Sequence, residues 1–463
     1  MTQSSNRSTS AGDIGSTQGE FTGKTLVLLR DNGLQEGLQA IRNAAGLTQV
    51  CNAADYTDGA VEMADAGNAE VFLLDHLKLA VVNADPNQLS GLHAAADDDG
   101  AIIAVEPERM MYALATTPGA AGFSSDYLRG YRDAVTHLYD EYSTVTADPD
   151  IELEALANFA DTATFTWGLQ ATGVNRSRYS GRGVRVAVLD TGFDLNHPDF
   201  VGRNANNQSF IPGQLVDDLN GHGTHCIGTA LGAQHLAGRV RRYGCAFNSE
   251  IFVGKVLSNQ GSGSDSAILA GINWAITNRC RVISMSLGAR VQLGEPYSQV
   301  YEAVAQRALR SNPGTLIVAA AGNDSGRPGL IWPVGRPANC PSIFAVGALD
   351  SRLGIASFSN GGLNPSGGGV DIAGPGVDVF SSVPEPFPAA VQPTGPRRPW
   401  PARYHTISGT SMATPHVAGI AAMWLEALGG TTSARALWQT LTSRAVRLTL
   451  PSRDVGAGLV QAP

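Results

Sequence analysis

Residues 184–190 read VRVAVLD, apolar at nearly every position and closed by an aspartate. So short and continuous a run fits a strand covered on both faces, as in a parallel sheet. Four more runs of this kind follow: IFVGKVL at 251–257, VISMSL at 282–287, TLIVAAA at 315–321 and IFAVGAL at 343–349. Helical segments are expected between them, at about 222–232, 264–279 and 298–311. Strands alternating with helices predict a doubly wound, mainly parallel α/β sheet. Chemistry in such folds sits at the carboxyl ends of the strands.

Composition agrees with a large globular chain. Of 463 residues, 43% are hydrophobic and only 16% charged, against a usual charged share of about 25%. Glycine numbers 54, about 12% where about 7% is usual, which points to tight turns and close backbone approach. Lys and Arg total 32 and Asp and Glu 41, for a net charge of −9. That balance argues against binding nucleic acid or an anionic membrane, both of which need basic surface. No apolar run approaches the roughly 18 residues of a membrane span. The Ser/Thr/Gly-rich start has no apolar core of a secretory signal, so the compartment stays open between the cytoplasm and a non-standard export route. Five cysteines, with no CxxC pair, read as buried thiols and not as a disulfide framework or zinc cluster.

Ahead of the α/β region, residues 1–22 read as a disordered tail. Residues 23–114 carry the order βαββαβ of a small ferredoxin-like α+β domain: KTLVLLR at 24–30, a helix ending near Gly46, β-rich runs near 47–54 and 70–84, a helix at about 86–97, and AIIAVEP at 101–107. Residues 115–165 read as a connecting arm, with an amphipathic helix at 125–142 and a short one at 151–159. The α/β domain then occupies 166–463.

Polar residues of interest fall in a few short segments. VAVLDTGFDLNHPDF places Asp190 at a strand end, and NGHGTHCIGTA opens a helix at His222. SGTSMATPHVAGIAAMWLEAL opens a long apolar helix at Ser411, where the positive end of the helix dipole helps a nucleophile. A nucleophilic serine needs a histidine to take its proton, and that histidine needs a carboxylate to fix its tautomer. AAAGND places Asn323 just past a strand end, where its amide can donate to a developing oxyanion.

These segments closely resemble those of the subtilisin-like serine proteases, the subtilases, and their Asp…His…Ser order is the subtilase order. The resemblance implies a serine endopeptidase acting on polypeptides through an acyl-enzyme, with no cofactor needed for the chemistry. Asp190 orients, His222 is general base and acid, Ser411 is the nucleophile, and the Asn323 amide with the Ser411 N–H forms the oxyanion hole. It further implies substrate contacts at Ser286-Leu287-Gly288, at Gly261-Ser262-Gly263 and at Ala320-Ala321-Gly322. A substrate would add as a strand to an exposed edge there. The 23–114 unit is similar to the inhibitory propeptide of subtilases, an intramolecular inhibitor of its own enzyme. VEPERMMYAL (105–114) is similar to the tail such propeptides lay in the cleft. That predicts self-cleavage between Leu114 and Ala115 and an apolar preference before the cut bond. The competing site lies nearer 160.

Other readings stand beside this one. DTG is also an aspartic-protease signature, but that chemistry needs a second such aspartate, and the chain has no second DTG or DSG. A catalytically silent subtilase-fold interaction protein is the rival in a different class. His222, His225 and His235 lack the HExxH zinc pattern, so no metal is assigned. His225 and His416 read as structural. Cys226 reads as a small buried hydrophobe, and the resemblance adds that thiol-bearing subtilases carry a cysteine close beneath the catalytic histidine. Asp199 matches a family calcium ligand, yet GAQHLAGRVRRYG replaces the loop carrying the other ligands. Asp199 is therefore expected to cap or to salt-bridge, with structural calcium as the alternative. The Pro-rich segment at 384–404 should stay out of any sheet as a surface loop near the cleft, either shaping specificity or contacting a partner, or simply tolerated.

Overall fold

The computed structural model describes residues 21–31, 33–114, 158–236, 240–387 and 401–463. Its N-terminal unit comprises β1 (Phe21–Leu29), α1 (Leu34–Ala45), β2 (Val50–Asn52), α2 (Met63–Asn68), β3 (Val71–Leu74), β4 (Leu79–Val82), α3 (Pro86–Ala94) and β5 (Ile102–Ala113). The strands lie in the order β5-β1-β4-β3-β2, with β1 antiparallel to both neighbours. Local chemistry sets the boundaries. Asp85 caps α3 by accepting from the N–H groups of Asn87 and Gln88, the Gln88 side chain returns to the Asp85 N–H, and Pro86 fills the first helical position.

Two expectations need correcting here. The first strand begins at Phe21, so Phe21 and Thr22 belong to the sheet and not to a tail. The run near 47–54 gives only the three residues of β2, while 70–84 folds back on itself as the β3–β4 hairpin.

The second sheet is the expected parallel one. Its strands are β6 (Arg185–Asp190), β7 (Ala205–Ser209), β8 (Glu250–Lys255), β10 (Val282–Met285), β12 (Leu316–Ala320), β13 (Phe344–Leu349) and β14 (Ile372–Pro375). They lie in the order β14-β13-β12-β10-β6-β8-β7, all pairs parallel. Alternate residues face opposite layers. Ala187, Leu189, Ile283 and Met285 pack toward α6 (Asp265–Thr277) and α7 (Gln299–Arg310). Val186, Val188, Val282 and Val318 pack toward α5 (His222–Leu231), α8 (Thr410–Ala427) and α9 (Ala434–Arg444). Among the described residues between α3 and α5 lies the short helix α4 (Trp167–Ala171).

The N-terminal sheet covers the outer side of α6 and α7. Leu26, Leu28, Phe72, Leu74 and Val81 share one apolar cluster with Ile268, Ile272, Val300 and Val304. Two of its carboxylates cap those helices. Glu106 accepts from the Gln299 N–H at 2.6 Å, and Glu108 from the Ser266 N–H at 2.8 Å. Each charge meets the positive end of a helix dipole.

The helix expected at 125–142 lies outside the described residues, as does the one at 151–159 apart from its last two positions. Phe159 donates its N–H to the Ser351 carbonyl at 2.9 Å and packs near Trp167, so the end of the arm docks on the α/β region. The Pro-rich segment is bracketed by an antiparallel ribbon of β15 (Val379–Ser382) and β16 (Tyr404–Ile407). Tyr404, expected in the loop, is thus a strand residue. Residues 388–400 lie outside the description.

Candidate active site

Strand β6 delivers Asp190 at its carboxyl end, and α5 begins at His222. His222 Nδ1 donates to Asp190 Oδ1 at 2.8 Å, and both side chains are buried. Burial works against a charged imidazole, yet Asp190 beside it overrides this and raises the His222 pKa well above its ordinary value. The second side of the ring carries no fixed bond: His222 Nε2 has no hydrogen-bond partner among the described residues. Asp190 is joined to a histidine and not to a second aspartate, which leaves the aspartic-protease alternative without its dyad.

One buried carboxylate registers these two elements. Asp218 accepts from Thr191 Oγ1 at 2.8 Å, from the Gly221 N–H at 2.8 Å, and from the N–H and hydroxyl of Thr224 at 2.8 and 2.7 Å. It ties the turn after Asp190 to the residues flanking His222. Such a set of donors is what a buried anion requires. The reading from sequence missed Asp218. Its signal is an acid three residues before the glycine that opens a helix.

Ser411 sits in the first turn of α8, buried. Its hydroxyl donates to the Ser286 carbonyl at 3.0 Å rather than to His222. Asn323 follows β12, and its amide carbonyl is held by the N–H and hydroxyl of Thr410 at 2.9 and 2.8 Å. That grip leaves the amide NH2 facing the cleft. Thr410 too went unnoticed in the sequence, though it directly precedes Ser411. Ala320 and Ala321 are buried, and the Ala321 backbone bonds to Val346 and Gly335. Gly322 has φ +114°, and a Cβ there would meet the Asn360 amide at 2.3 Å. These three residues lead from β12 directly into Asn323.

The cleft holds a peptide of the chain itself. The C-terminal end of β5 pairs antiparallel with β9 (Ser262–Ser264), matching Met110 to Ser264, Met111 to Gly263 and Tyr112 to Ser262. On its other side it pairs with β11 (Leu287–Gly288), matching Ala113 to Leu287. The Ala113 N–H donates to the Gly261 carbonyl at 2.8 Å, and the Leu114 N–H to the Ser286 carbonyl at 3.3 Å. Asn323 Nδ2 donates to the Leu114 carbonyl at 2.5 Å. The Leu114 side chain reaches Gly288, where an added Cβ would lie 3.2 Å from its Cδ1. Glycine is required at 263, since a Cβ there would stand 2.0 Å from the Val256 carbonyl oxygen.

Neighbouring groups have structural partners. Cys226, one turn beyond His222 on α5, places Sγ 3.8 Å from His222 Nδ1 and 3.6 Å from the Ser411 carbonyl. Burial pushes its thiol up to about 11. His225 Nε2 bonds the Val379 carbonyl at 2.9 Å, and His416 Nδ1 the Met412 carbonyl at 2.8 Å; burial lowers both. All five cysteines are free thiols. Of the two roles expected of Asp199, the described contacts bear on the cap alone. His197, not Asp199, caps the short turn at 198–200, and Asp199 Oδ2 accepts from the hydroxyls of Tyr243 and Tyr404 at 2.6 and 2.9 Å. Two phenol O–H groups directed at one oxygen do not fit a calcium ion, which wants several oxygen ligands of its own.

Comparison with known proteins agrees with this geometry. The subtilase family model matches residues 181–458, and the chain belongs to that family. It is a serine endopeptidase, and among the described residues no helix is long and apolar enough to cross a membrane. It is 37% identical to a subtilisin of Bacillus pumilus over 261 residues, covering 56% of this chain and 82% of that one. It is 37% identical to subtilisin DY of Bacillus licheniformis over 281 residues, 60% of this chain and 90% of that one. With a thermostable alkaline protease of Halalkalibacterium halodurans the identity is 34% over 327 residues, 70% and 79% of the two chains.

Proposed function

We propose that this endopeptidase cuts polypeptides through Asp190, His222 and Ser411, and that residues 23–114 are its own propeptide and inhibitor. The observation that carries this reading is the bond from Asn323 to the Leu114 carbonyl at the end of a strand laid between β9 and β11. A carbonyl held there is where the oxyanion of a tetrahedral intermediate forms.

His222 takes the Ser411 proton on Nε2 as the hydroxyl attacks the carbonyl carbon, and Asp190 stabilises the resulting imidazolium. Asn323 Nδ2 and the Ser411 N–H receive the developing charge. The amine of the leaving segment takes the proton back from His222, and water repeats the sequence on the acyl-enzyme. Leu114 beside Gly288 supports an apolar preference before the cut bond, and cleavage between Leu114 and Ala115 makes the mature enzyme. Neither step calls on a cofactor, and the fit at Asp199 supports no calcium there.

A fluorescent organophosphonate, applied to autoprocessed protein, should label Ser411 and abolish hydrolysis of a Leu-containing peptide in step. Full hydrolysis with Ser411 quantitatively labelled would remove Ser411 from the chemistry.

A further inference from the structure

Beyond the paired positions of the cleft, Arg109 makes contacts the function described so far does not use. It is the sixth residue back from the proposed cut, counting Leu114 as the first. Its N–H donates to Asp265 Oδ2 at 2.8 Å, one step past the last β5–β9 pair. Its guanidinium donates to Glu295 Oε1 at 2.7 Å, with both side chains about four-fifths covered.

Glu295 is prepared for this role. Its other carboxylate oxygen, Oε2, accepts from the Gln292 N–H at 2.9 Å, and the Glu295 N–H donates to the Gln292 carbonyl at 3.0 Å. Gly294, at φ +86°, makes the turn that closes this small ring. One oxygen is thus fixed by backbone and the other presented to the guanidinium. A preorganised carboxylate lets more of a charged hydrogen bond appear as affinity.

We propose that Glu295, on the loop after β11, forms an acidic subsite that selects a basic residue at the sixth position before the cut bond. This rests on the reading of 105–114 as a substrate-like tail. Asp265 takes the backbone N–H at that position whatever the residue, and Glu295 reads the side chain. Phe21, which also lies 5.3 Å from the Arg109 guanidinium, belongs to the N-terminal unit and would be missing from any other substrate. Glu295 alone then carries the preference.

The test is direct binding, by fluorescence anisotropy, of a labelled peptide Glu-Arg-Met-Met-Tyr-Ala-Leu to autoprocessed enzyme freed of its N-terminal unit and blocked at Ser411. Replacing the peptide's arginine by alanine should weaken binding about two- to fivefold, the scale of a partly exposed ion pair. Glu295→Gln should bind both peptides alike. Glu295→Lys should reverse the order, binding a glutamate-bearing peptide better than the arginine one. Equal binding of the arginine and alanine peptides by the parent enzyme overturns the subsite. So does an arginine preference that survives in Glu295→Gln. If changing the final leucine to aspartate leaves binding untouched as well, the reading of the tail itself falls, and the two failures are told apart.

Discussion

Ser411 and Ser286 hold each other by two hydrogen bonds: Ser411 Oγ donates to the Ser286 carbonyl at 3.0 Å, and Ser286 Oγ donates to the Ser411 carbonyl at 2.8 Å. The same Ser286 carbonyl accepts the Leu114 N–H. The serine proposed as nucleophile is therefore parked on the carbonyl that also carries the 105–114 strand. Ser286→Ala removes one of the two bonds and keeps that carbonyl. It should lose about 0.5–1.5 kcal/mol of stability in denaturant unfolding and less than tenfold in turnover. Ser411→Ala should keep the fold and retain only the roughly 10³–10⁴-fold advantage over water that binding and the oxyanion hole provide.

Asn323→Ala should slow turnover about 10²–10³-fold, the size known for the oxyanion-hole amide of a subtilisin, with little change in KM. Thr410→Val keeps the backbone donor to Asn323 and removes the hydroxyl, so its loss should be smaller and confined to kcat. Steady-state kinetics on one Leu-containing peptide compares the two. An unchanged kcat in Asn323→Ala would remove it from the oxyanion hole.

The base must be neutral to accept a proton. Asp190 raises the His222 pKa, so peptidase activity should climb with pH as that imidazole deprotonates. Asp190→Asn takes away the charge that favours the imidazolium. The acid limb of kcat/KM should move to lower pH while the rate falls about 10⁴-fold. A pH–rate profile of both proteins reads both effects, and an acid limb that stays in place would separate Asp190 from His222.

Cys226 lies against the His222 ring, so a bulky mercurial on its sulfur should push the imidazole off line and stop activity. Cys226→Ala should be active and mercury-resistant. Sensitivity equal to the parent's would point to another of the buried thiols.

Maturation should yield a chain beginning at Ala115, seen by intact mass and N-terminal sequencing, while Ser411→Ala stays full length. Leu114→Asp should slow that cut by placing a charge beside Gly288. A mature start near 160 would refute cleavage at 114.

Much of this was legible because burial writes itself in composition. The strands at 185–190, 282–285, 316–320 and 344–349 are covered on both faces along nearly their whole length and so are apolar at most positions. Strand β7, ANNQS, is a polar edge and carries no such mark, and β14, IAGP, is masked by its glycine and proline. At the site, Asp190, His222, Asn323 and Ser411 stood out as residue types in short motifs. Asp218 and Thr410 did not, since their work is to hold other groups, and that depends on distances between segments far apart in the chain. The hydroxyls that reach Asp199 were hidden for the same reason, since Tyr243 and Tyr404 lie 44 and 205 residues away.

Strand β5 belongs to two sheets at once, pairing with β1 along one stretch and with β9 and β11 along the next. Severing the bond after Leu114 would leave every one of those pairings in place. If the N-terminal unit is the inhibitor proposed above, it would be tethered before the cut, at an effective concentration on the order of millimolar whatever the amount of protein present. After it, occupancy follows mass action between two separate molecules. Silence would then fade on dilution, and a preparation active at nanomolar levels would be quiet when concentrated.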